Sequence, residues 1–449
     1  MLKSFLTGMF SSVSVAVSAA AFSMTAFAAD SALTPMGAPV EGDGDMIPRW
    51  EGGLTQPPEG FEPGGYYIDP FPSDKPVFVV NNKNVNEFKQ YLTEGQLQFL
   101  ERYPEYEFPV YVSRRTAAYT DTVYESLKYN SENAELLPRG TGVKKSKQTS
   151  PFVQPESGEE MIWNHILRYR GDTVEATLSD AVVYESGASK VMRKEIKIFG
   201  VYFDESISEN KRKNKIFMRK TKNLYPPSVA GQMTLVHETL DQVLAPRKAW
   251  YYAPGQRRVR RTPDLEYADE LFNSDGFKTV DQVDLYNGAP DLYEWKIVGK
   301  TTKLIPYNSY RMTGENVSSD QLLGERTLNP EYTRYELHRV WHLEATLRAG
   351  IKHQYVKRVF YIDEDTWQIA LAEEYGEESD KIWRYSEAHS MNFYDVPLVW
   401  SAGNLTYDLL NGGYYAEWLT TADDKPHVFN EKMRKRDFKS SVMRREGTR

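Results

Sequence analysis

The fold class is decided by the stretch Tyr335-Glu336-Leu337-His338-Arg339-Val340-Trp341-His342-Leu343-Glu344-Ala345-Thr346-Leu347-Arg348. Its odd positions are almost wholly apolar and its even positions are almost wholly polar. An alternation with a period of two is typical of a half-buried antiparallel strand, because successive side chains of a strand point to opposite faces. The stretch therefore predicts a strand with one face on a core and the other face in solvent.

Three more strands are predicted after it, at residues 353–362, 367–374 and 381–394. A turn at 349–352 precedes the first of these strands, and a turn at 363–366 follows it. Four consecutive strands with short turns form an antiparallel meander. Upstream strands are predicted at 181–184, 190–202, 215–221, 233–243, 248–252 and 293–306. Aromatic residues make up 13% of the chain, and aromatic side chains favour strands. The sequence therefore predicts a mainly β protein.

Helical periodicity is confined to three segments, at residues 85–103, 116–130 and 159–169. Residues 29–80 are rich in Gly and Pro and lack periodicity, so we expect an extended or irregular N-terminal arm. Residues 81–431 are predicted to form a single domain. Residues 432–449 form a basic tail, which we expect to be frayed.

The N-terminus resembles a secretion signal. Lys3 is the only charged residue among the first 29, an apolar run follows at 10–22, and Ala26-Phe27-Ala28 matches a cleavage site. A retained membrane anchor is the alternative, but serines interrupt the run, which is shorter than the ~20 residues that a bilayer requires. The sequence therefore predicts a signal peptide at 1–28 and a periplasmic protein, either free or associated with the outer membrane.

Composition excludes several classes of function. The chain has no cysteine, which excludes disulfides, thiolate metal sites and a cysteine nucleophile. Its formal net charge of −8 argues against a nucleic-acid partner, because neutralising phosphates requires a basic surface.

Two histidines, His338 and His342, stand four residues apart, a spacing that could hold zinc on a helix. The corresponding motif requires Glu where Arg339 stands, and on a strand the two residues are ~13 Å apart. We therefore expect two surface histidines and no metal site. His237 beside Glu238 is expected to form an ion pair, and Asp363, Glu364 and Asp365 are expected to be solvated caps of a turn.

No nucleophile elbow, phosphate-binding loop, dinucleotide motif or calcium loop occurs in the sequence. The sequence thus predicts a protein that is not an enzyme and that uses no cofactor. Two basic clusters remain, at 211–215 and at Arg257, Arg258, Arg260 and Arg261. The second cluster is either a solvated edge or a docking patch for an acidic partner or a phosphorylated lipid head group, because guanidinium groups bind phosphate in a bidentate manner.

The chain carries several longer motifs: LTPMGA at 33–38, DGDMIPRWEGG at 43–53, PGQRRVRR at 254–261, NGAPD at 287–291, YEWK at 293–296, PYN at 306–308, YELHRVW at 335–341 and YIDEDTW at 361–367. Together these motifs resemble the DUF1329 family. They are spread over nearly the whole chain after residue 32. One departure is Leu292, where the family usually has arginine, so one local cation is missing.

The resemblance implies a fold similar to the LolA/LolB lipoprotein-carrier superfamily, in which an unclosed antiparallel barrel wraps around a few helices and encloses an apolar cavity. It also implies RND-type exporters and an outer-membrane β-barrel as partners in moving a lipid or hydrophobic compound. No functional residues are established for the family, so none are transferred.

Three functions follow as hypotheses. The first is a carrier for a lipid or other hydrophobic molecule, with a pocket on the apolar face of the meander, formed by Tyr335, Leu337, Trp341, Leu343, Phe360 and Ile362. Those side chains could equally fill a core, since protein interiors are close-packed. The second is a non-carrier adaptor that docks to an envelope transport complex through the arm and residues 257–261. The third is a hydrolase, for which the sequence supplies no catalytic group.

Overall fold

The computed structural model describes residues 32–44, 46–262, 267–377 and 381–447. The predicted signal peptide at 1–28 lies outside these residues. Within them, none of the helices is long and apolar enough to cross a membrane. The first ten strands are β1 (Phe78–Asn81), β2 (Glu107–Val110), β3 (Glu135–Leu136), β4 (Val143–Lys144), β5 (Thr173–Val183), β6 (Ser189–Phe199), β7 (Lys215–Tyr225), β8 (Met233–Thr239), β9 (Lys248–Ala253) and β10 (Arg258–Arg261). The others are β11 (Tyr293–Pro306), β12 (Tyr335–Leu347), β13 (Lys357–Asp363), β14 (Ile369–Tyr375), β15 (Ile382–Asn392), β16 (Val399–Asp408), β17 (Tyr414–Leu419) and β18 (Val428–Phe429).

Sixteen of these strands form one sheet, which is not closed into a barrel. Its main path runs β1-β2-β12-β13-β14-β15-β16-β17-β5-β6-β7-β8-β9-β10, with β11 beside β12 and β18 beside β5. Neighbours are antiparallel except β2 and β12, which meet in parallel at one residue pair. The sheet thus consists of two meanders, β5–β10 and β11–β17, which are joined where β17 pairs with β5. The predicted mainly β, unclosed sheet is confirmed.

The described helices are short. They are α1 (Val85–Phe88), α2 (Glu94–Arg102), α3 (Asp121–Asn133), α4 (Gly158–Leu167), α5 (Glu209–Arg212), α6 (Ser319–Leu322) and α7 (Ser440–Gly447). The single helix predicted at 85–103 is broken before Thr93, which starts α2 with a capping box to Gln96. The other two predicted helices correspond to α3 and α4.

Helix α4 and the segment 277–292 fill the interior that the sheet surrounds. Nearly all of α4 is buried, and it approaches β11 and β12 so closely that a Cβ atom on Gly158 would lie 2.5 Å from Cβ of Trp295. The segment 277–292 is held by buried ion pairs: Asp281 binds Arg358, and Asp284 binds Arg168. The interior is therefore packed in part with polar anchors rather than with apolar side chains alone.

The C-terminal tail is not frayed as predicted. Residues 440–447 form α7, and Met443 lies in a buried cluster with Tyr252 and Phe438. A Cβ atom on Gly447 would meet the ring of Tyr252 at 2.1 Å, so the helix lies directly on β9. The tail is basic in composition, but its apolar residues form a stripe that packs on one end of the sheet.

Candidate ligand-binding site

The residues predicted to line a pocket on the meander belong to the packed interior. These residues are Tyr335, Leu337, Trp341, Leu343, Phe360 and Ile362; Trp341 is half-buried and the others are buried. The ring of Phe360 contacts Tyr286 at 5.6 Å between centroids and stacks on Trp295. The hydroxyl of Tyr335 donates to Glu387 at 2.9 Å. The ligand contact predicted for these six residues stays a prediction.

The prediction of two surface histidines on β12 is wrong for His338, which is buried, whereas His342 is half-buried. The chain that follows β11 covers this end of β12, and the ring of Tyr307 stacks on His338 at 4.0 Å. Buried Glu336 lies 3.0 Å from Nε2 of His338. Burial opposes the charged imidazole, but the hydrogen bond to Glu336 and the negative charges of Glu336, Asp363 and Asp365 together outweigh it and raise the pKa of His338.

The turn Asp363-Glu364-Asp365 is not solvated, and that prediction is also wrong, because all three carboxylates are buried. Arg115 donates to both oxygens of Asp365, at 2.8 and 2.6 Å, and to the carbonyls of Pro39 and Val40 at 2.9 Å each. The turn therefore fastens the N-terminal arm to the sheet.

A buried cluster next to this turn has the composition of a metal site. Ligand atoms of His338, Asp363 and Asp365 lie within 4.8 Å of one another. Asp365 is already paired with Arg115, and the Thr366 hydroxyl donates to Asp363 at 2.6 Å. Burial, followed by the charge of Asp365, raises the pKa of Asp363 to about 7. The guanidinium group of Arg115 already supplies a positive charge to this cluster, so we assign the cluster a structural role.

His237 and Glu238 do not pair with each other, because neighbouring residues of a strand point to opposite faces. Nε2 of His237 lies 2.8 Å from the carbonyl oxygen of Phe438. Glu238 instead accepts hydrogen bonds from Tyr267 and Asn287, each at 3.0 Å. The predicted ion pair is therefore wrong.

The basic residues predicted to dock a partner are all exposed. They are Arg257, Arg258, Arg260 and Arg261. Strand β10 pairs with β9 and ends the path of the sheet, so Arg258, Arg260 and Arg261 stand on an edge strand and Arg257 directly precedes it. Charged side chains on an edge strand also discourage pairing with another sheet. Docking at this edge stays a prediction.

A cavity lies at the other meander, between strands β5–β8 and β17 and the segment 271–283. Its volume is about 290 Å³. A smaller cavity of about 30 Å³ shares Arg219, Val283 and Trp418 with it and extends to Phe203, Phe217 and Trp400. The two cavities are therefore neighbours; we call the larger one the chamber and the smaller one the aromatic branch.

The walls of the chamber combine apolar and polar side chains. The chamber is lined by the apolar residues Met192, Ile196, Met233, Val236, Val280 and Val283, and by polar residues that include Thr221, Asn223, Gln232 and Thr234. In the branch the rings of Trp400 and Trp418 lie 4.8 Å apart. Ligand cavities typically combine apolar walls with a few convergent polar groups. The apolar side of the chamber therefore fits a hydrophobic group, and its polar side fits a polar one.

Both carboxylates that line the chamber are paired. Asp180 contacts Lys194 and accepts from the Tyr415 hydroxyl at 2.9 Å. Glu417 accepts from Lys278 at 2.7 Å. These buried ion pairs join strands β5, β6 and β17 to the segment 271–283 and thereby fix the walls of the cavity.

Two arginines in the chamber have donors without acceptors. Nε of Arg219 is buried and has no hydrogen-bond partner among the described residues, and the same holds for Nε and Nη1 of Arg247. Burial, followed by the charge of Arg247, lowers the pKa of Arg219. Buried guanidinium groups are normally paired, because an isolated buried charge is costly. The cavity is therefore lined by two arginines whose guanidinium groups the described residues pair incompletely.

Sequence reasoning missed this site because its walls come from strands that are far apart in the chain. The single signal was in β7, where Arg219 lies two residues after Phe217 and so shares a face with it. Both side chains line the aromatic branch. A cation on an inward-facing strand position indicates a buried partner or a ligand.

Comparison with known proteins yields a family. A family model described as a protein of unknown function (DUF1329) matches residues 79–444. An uncharacterized protein of Pseudomonas aeruginosa is 39% identical over 443 residues, which cover 95% of each chain.

Solved structures with partly similar folds share 13% sequence identity with this chain. They are a putative outer membrane lipoprotein-sorting protein domain from Vibrio parahaemolyticus (TM-score 0.42; 61% of this chain and 91% of that one), a DUF1329 family protein from Desulfovibrio piger (0.42; 61% and 92%) and a LolA superfamily protein from Nitrosomonas europaea (0.37; 64% and 98%).

Proposed function

The chain belongs to the DUF1329 family, and we propose that it is a periplasmic binding protein or carrier for a lipid or other hydrophobic molecule. The observation that carries the proposal is the cavity between strands β5–β8, β17 and the segment 271–283, with its apolar side and its incompletely paired arginines. A filled core would leave neither space nor unpaired guanidinium nitrogens at this position.

The proposal includes the cellular setting. The predicted signal peptide at 1–28 directs the chain to the periplasm, where it works with an RND-type exporter and an outer-membrane β-barrel and performs no chemistry of its own. Cell fractionation and N-terminal sequencing test the setting: we expect a mature periplasmic chain that begins at Ala29. A chain that retains residues 1–28 would contradict it.

Filling the cavity tests the binding function. Thr234 lies on β8, is half-buried and lines the chamber. Thr234→Trp should occupy the space and abolish binding of a fluorescent single-chain lipid probe, followed by titration of the purified protein. Thr302→Trp is the matched control, because Thr302 is a half-buried residue of β11 that does not line the cavity.

The control should bind the probe as the wild type does. Equal binding by Thr234→Trp and the wild type would place the ligand outside the cavity. Equal loss of probe binding in both variants would show that the substitutions disturb the sheet rather than fill the chamber. Either result contradicts the proposed site.

A second candidate function is a non-carrier adaptor, favoured by the exposed arginines of the edge strand β10. Reversing the charge at Arg258 and Arg260 to Glu should then abolish pull-down of the exporter while the thermal melting temperature stays unchanged. Thr234→Trp should retain the exporter if the adaptor role is independent of the cavity. Unchanged pull-down by the charge-reversal variant would exclude docking at this edge.

A further inference from the structure

The chamber of the cavity carries more positive than negative charge among its described side chains. The cations that line it or pair within it are Lys194, Arg219, Arg247 and Lys278, and the carboxylates are Asp180, Glu238 and Glu417. Each of the two lysines is committed to a carboxylate, which leaves the arginines with a single remaining carboxylate.

That remaining carboxylate satisfies the arginines incompletely. Its Oε2 lies 3.7 Å from Nε of Arg247, which exceeds a hydrogen-bond distance, and both oxygens of Glu238 already accept from Tyr267 and Asn287. The side chain of Arg247 is only 8% exposed, so water does not fully solvate it. Arg247, which lines the chamber, is therefore paired incompletely.

Arg219 stands at the junction of the chamber and the aromatic branch and lines both. The described residues give its guanidinium group no hydrogen bond and no ion pair, and its Nε is buried. The branch beyond it holds another cationic excess, since Asp284 is shared between Arg168 and Arg170. A guanidinium group presents five donors that match the oxygens of a carboxylate or phosphate.

The size of the cavity limits the apolar part of the ligand. A volume of about 290 Å³ is at the lower end of the range of ~300–1,000 Å³ usual for small-molecule sites. A single chain along the apolar side of the chamber matches this space, whereas a lipid with two or three acyl chains exceeds it. The aromatic branch, of about 30 Å³, is too small to hold such a chain.

We propose that Arg219 and Arg247 bind the oxyanion head group of a single-chain amphiphile, a fatty carboxylate or an alkyl phosphate, whose chain lies along the apolar side of the chamber. This inference rests on the proposed binding function and specifies the class of ligand. It assigns to the two arginines the role of a head-group clamp, and to the apolar residues of the chamber the role of the chain site.

Calorimetric titration of the full mature chain with decanoate, decyl phosphate, decanol and inorganic phosphate tests the inference. We expect decanoate or decyl phosphate to bind at least tenfold more tightly than decanol, and inorganic phosphate to bind weakly, because charge-assisted hydrogen bonds add to burial of the chain. Whichever of the two anions binds more tightly identifies the natural head group as a carboxylate or a phosphate.

Removing each arginine separates a head-group role from a structural one. Arg219→Met and Arg247→Met should each weaken binding of the anion about ten- to a hundred-fold and leave decanol binding unchanged or tighter. Arg219→Lys, which keeps the charge, should recover part of the loss. Arg326→Met is the control, since Arg326 is exposed and remote from the cavity, and it should bind like the wild type.

The outcomes distinguish the two proposals. Equal affinity for decanol and decanoate, or equal loss of both in Arg219→Met, would overturn the head-group clamp while leaving the binding function in place. Failure of every chain-bearing probe to bind the wild type, with melting temperatures showing a folded protein, would overturn the binding function itself.

Discussion

The substitution Asp284→Asn probes the buried anchor that holds one wall of the cavity. Nη2 of Arg168 lies 2.8 Å from both oxygens of Asp284, Arg170 contacts the same carboxylate, and Nε1 of Trp400 lies 3.3 Å away. The two guanidinium groups, which outweigh the cost of burial, hold the pKa of Asp284 well below its usual range. Asparagine keeps the shape and tolerates the backbone, which has a φ of +58° at this position.

The expected loss follows from leaving two buried cations without a counter-charge. Removing one partner of a buried ion pair costs about 3–5 kcal/mol, and the amide of asparagine recovers only part of the hydrogen bonding. We therefore expect Asp284→Asn to lower the free energy of unfolding by about 3 kcal/mol. Because the anchored segment 277–292 forms a wall of the cavity, ligand affinity should fall as well.

Denaturation in urea, followed by tryptophan fluorescence and by circular dichroism, measures the effect. Asp275→Asn is the matched control, since Asp275 also has a positive φ but forms an exposed pair with Lys190. That change should cost at most about 1 kcal/mol. Adding Arg170→Met to Asp284→Asn should recover part of the stability. Equal losses in the two single variants would refute the anchoring role of Asp284.

Three further outcomes are expected. Burial raises the pKa of Glu374 to about 7, above its value of ~4.3 in the unfolded chain. The contribution of Glu374 to the free energy of unfolding is therefore fully present below pH ~4.3 and is lost as the pH rises through 7. Glu374→Gln should flatten the decline of the free energy of unfolding between pH 5 and 8, and an unchanged slope would contradict this. Arg115→Met leaves the buried Asp365 unpaired and should speed hydrogen exchange at residues 34–50, whereas exchange equal to that of the wild type would show that the arm is held elsewhere. Met443→Ala should cost about 2–5 kcal/mol in urea denaturation, because Met443 is fully buried under α7, and a loss below 1 kcal/mol would indicate a loosely attached tail.

The strands could be predicted from the sequence where apolar and polar residues alternate or where turn residues mark the ends. The predicted strand at 293–306 matches β11, and the predicted strand at 335–348 matches β12 to within one residue. Strands β16 and β17 gave no such signal, because both of their faces are buried and their polar residues sit inside the protein. Period-two alternation is expected where one face of a strand meets solvent, so a strand covered on both faces need not show it.

Burial of both faces also explains why the environment of the polar side of β12 could not be assigned from the sequence. Glu336 and His338 alternate as solvent-facing residues would, yet the arm and the chain after β11 bury them. The cavity was beyond prediction for a different reason. Arg219 and Glu417 are about two hundred residues apart and meet because β17 pairs with β5, a long-range contact that no local pattern reports.

The central claim, that the cavity carries an amphiphile, is tested most directly by native mass spectrometry of the protein isolated gently from the periplasm. We predict an adduct of one single-chain anionic amphiphile on the wild type and on Thr302→Trp, and none on Thr234→Trp, because only the last change fills the chamber. A wild type free of any such adduct across repeated preparations, or an adduct of equal abundance on Thr234→Trp, would contradict the claim.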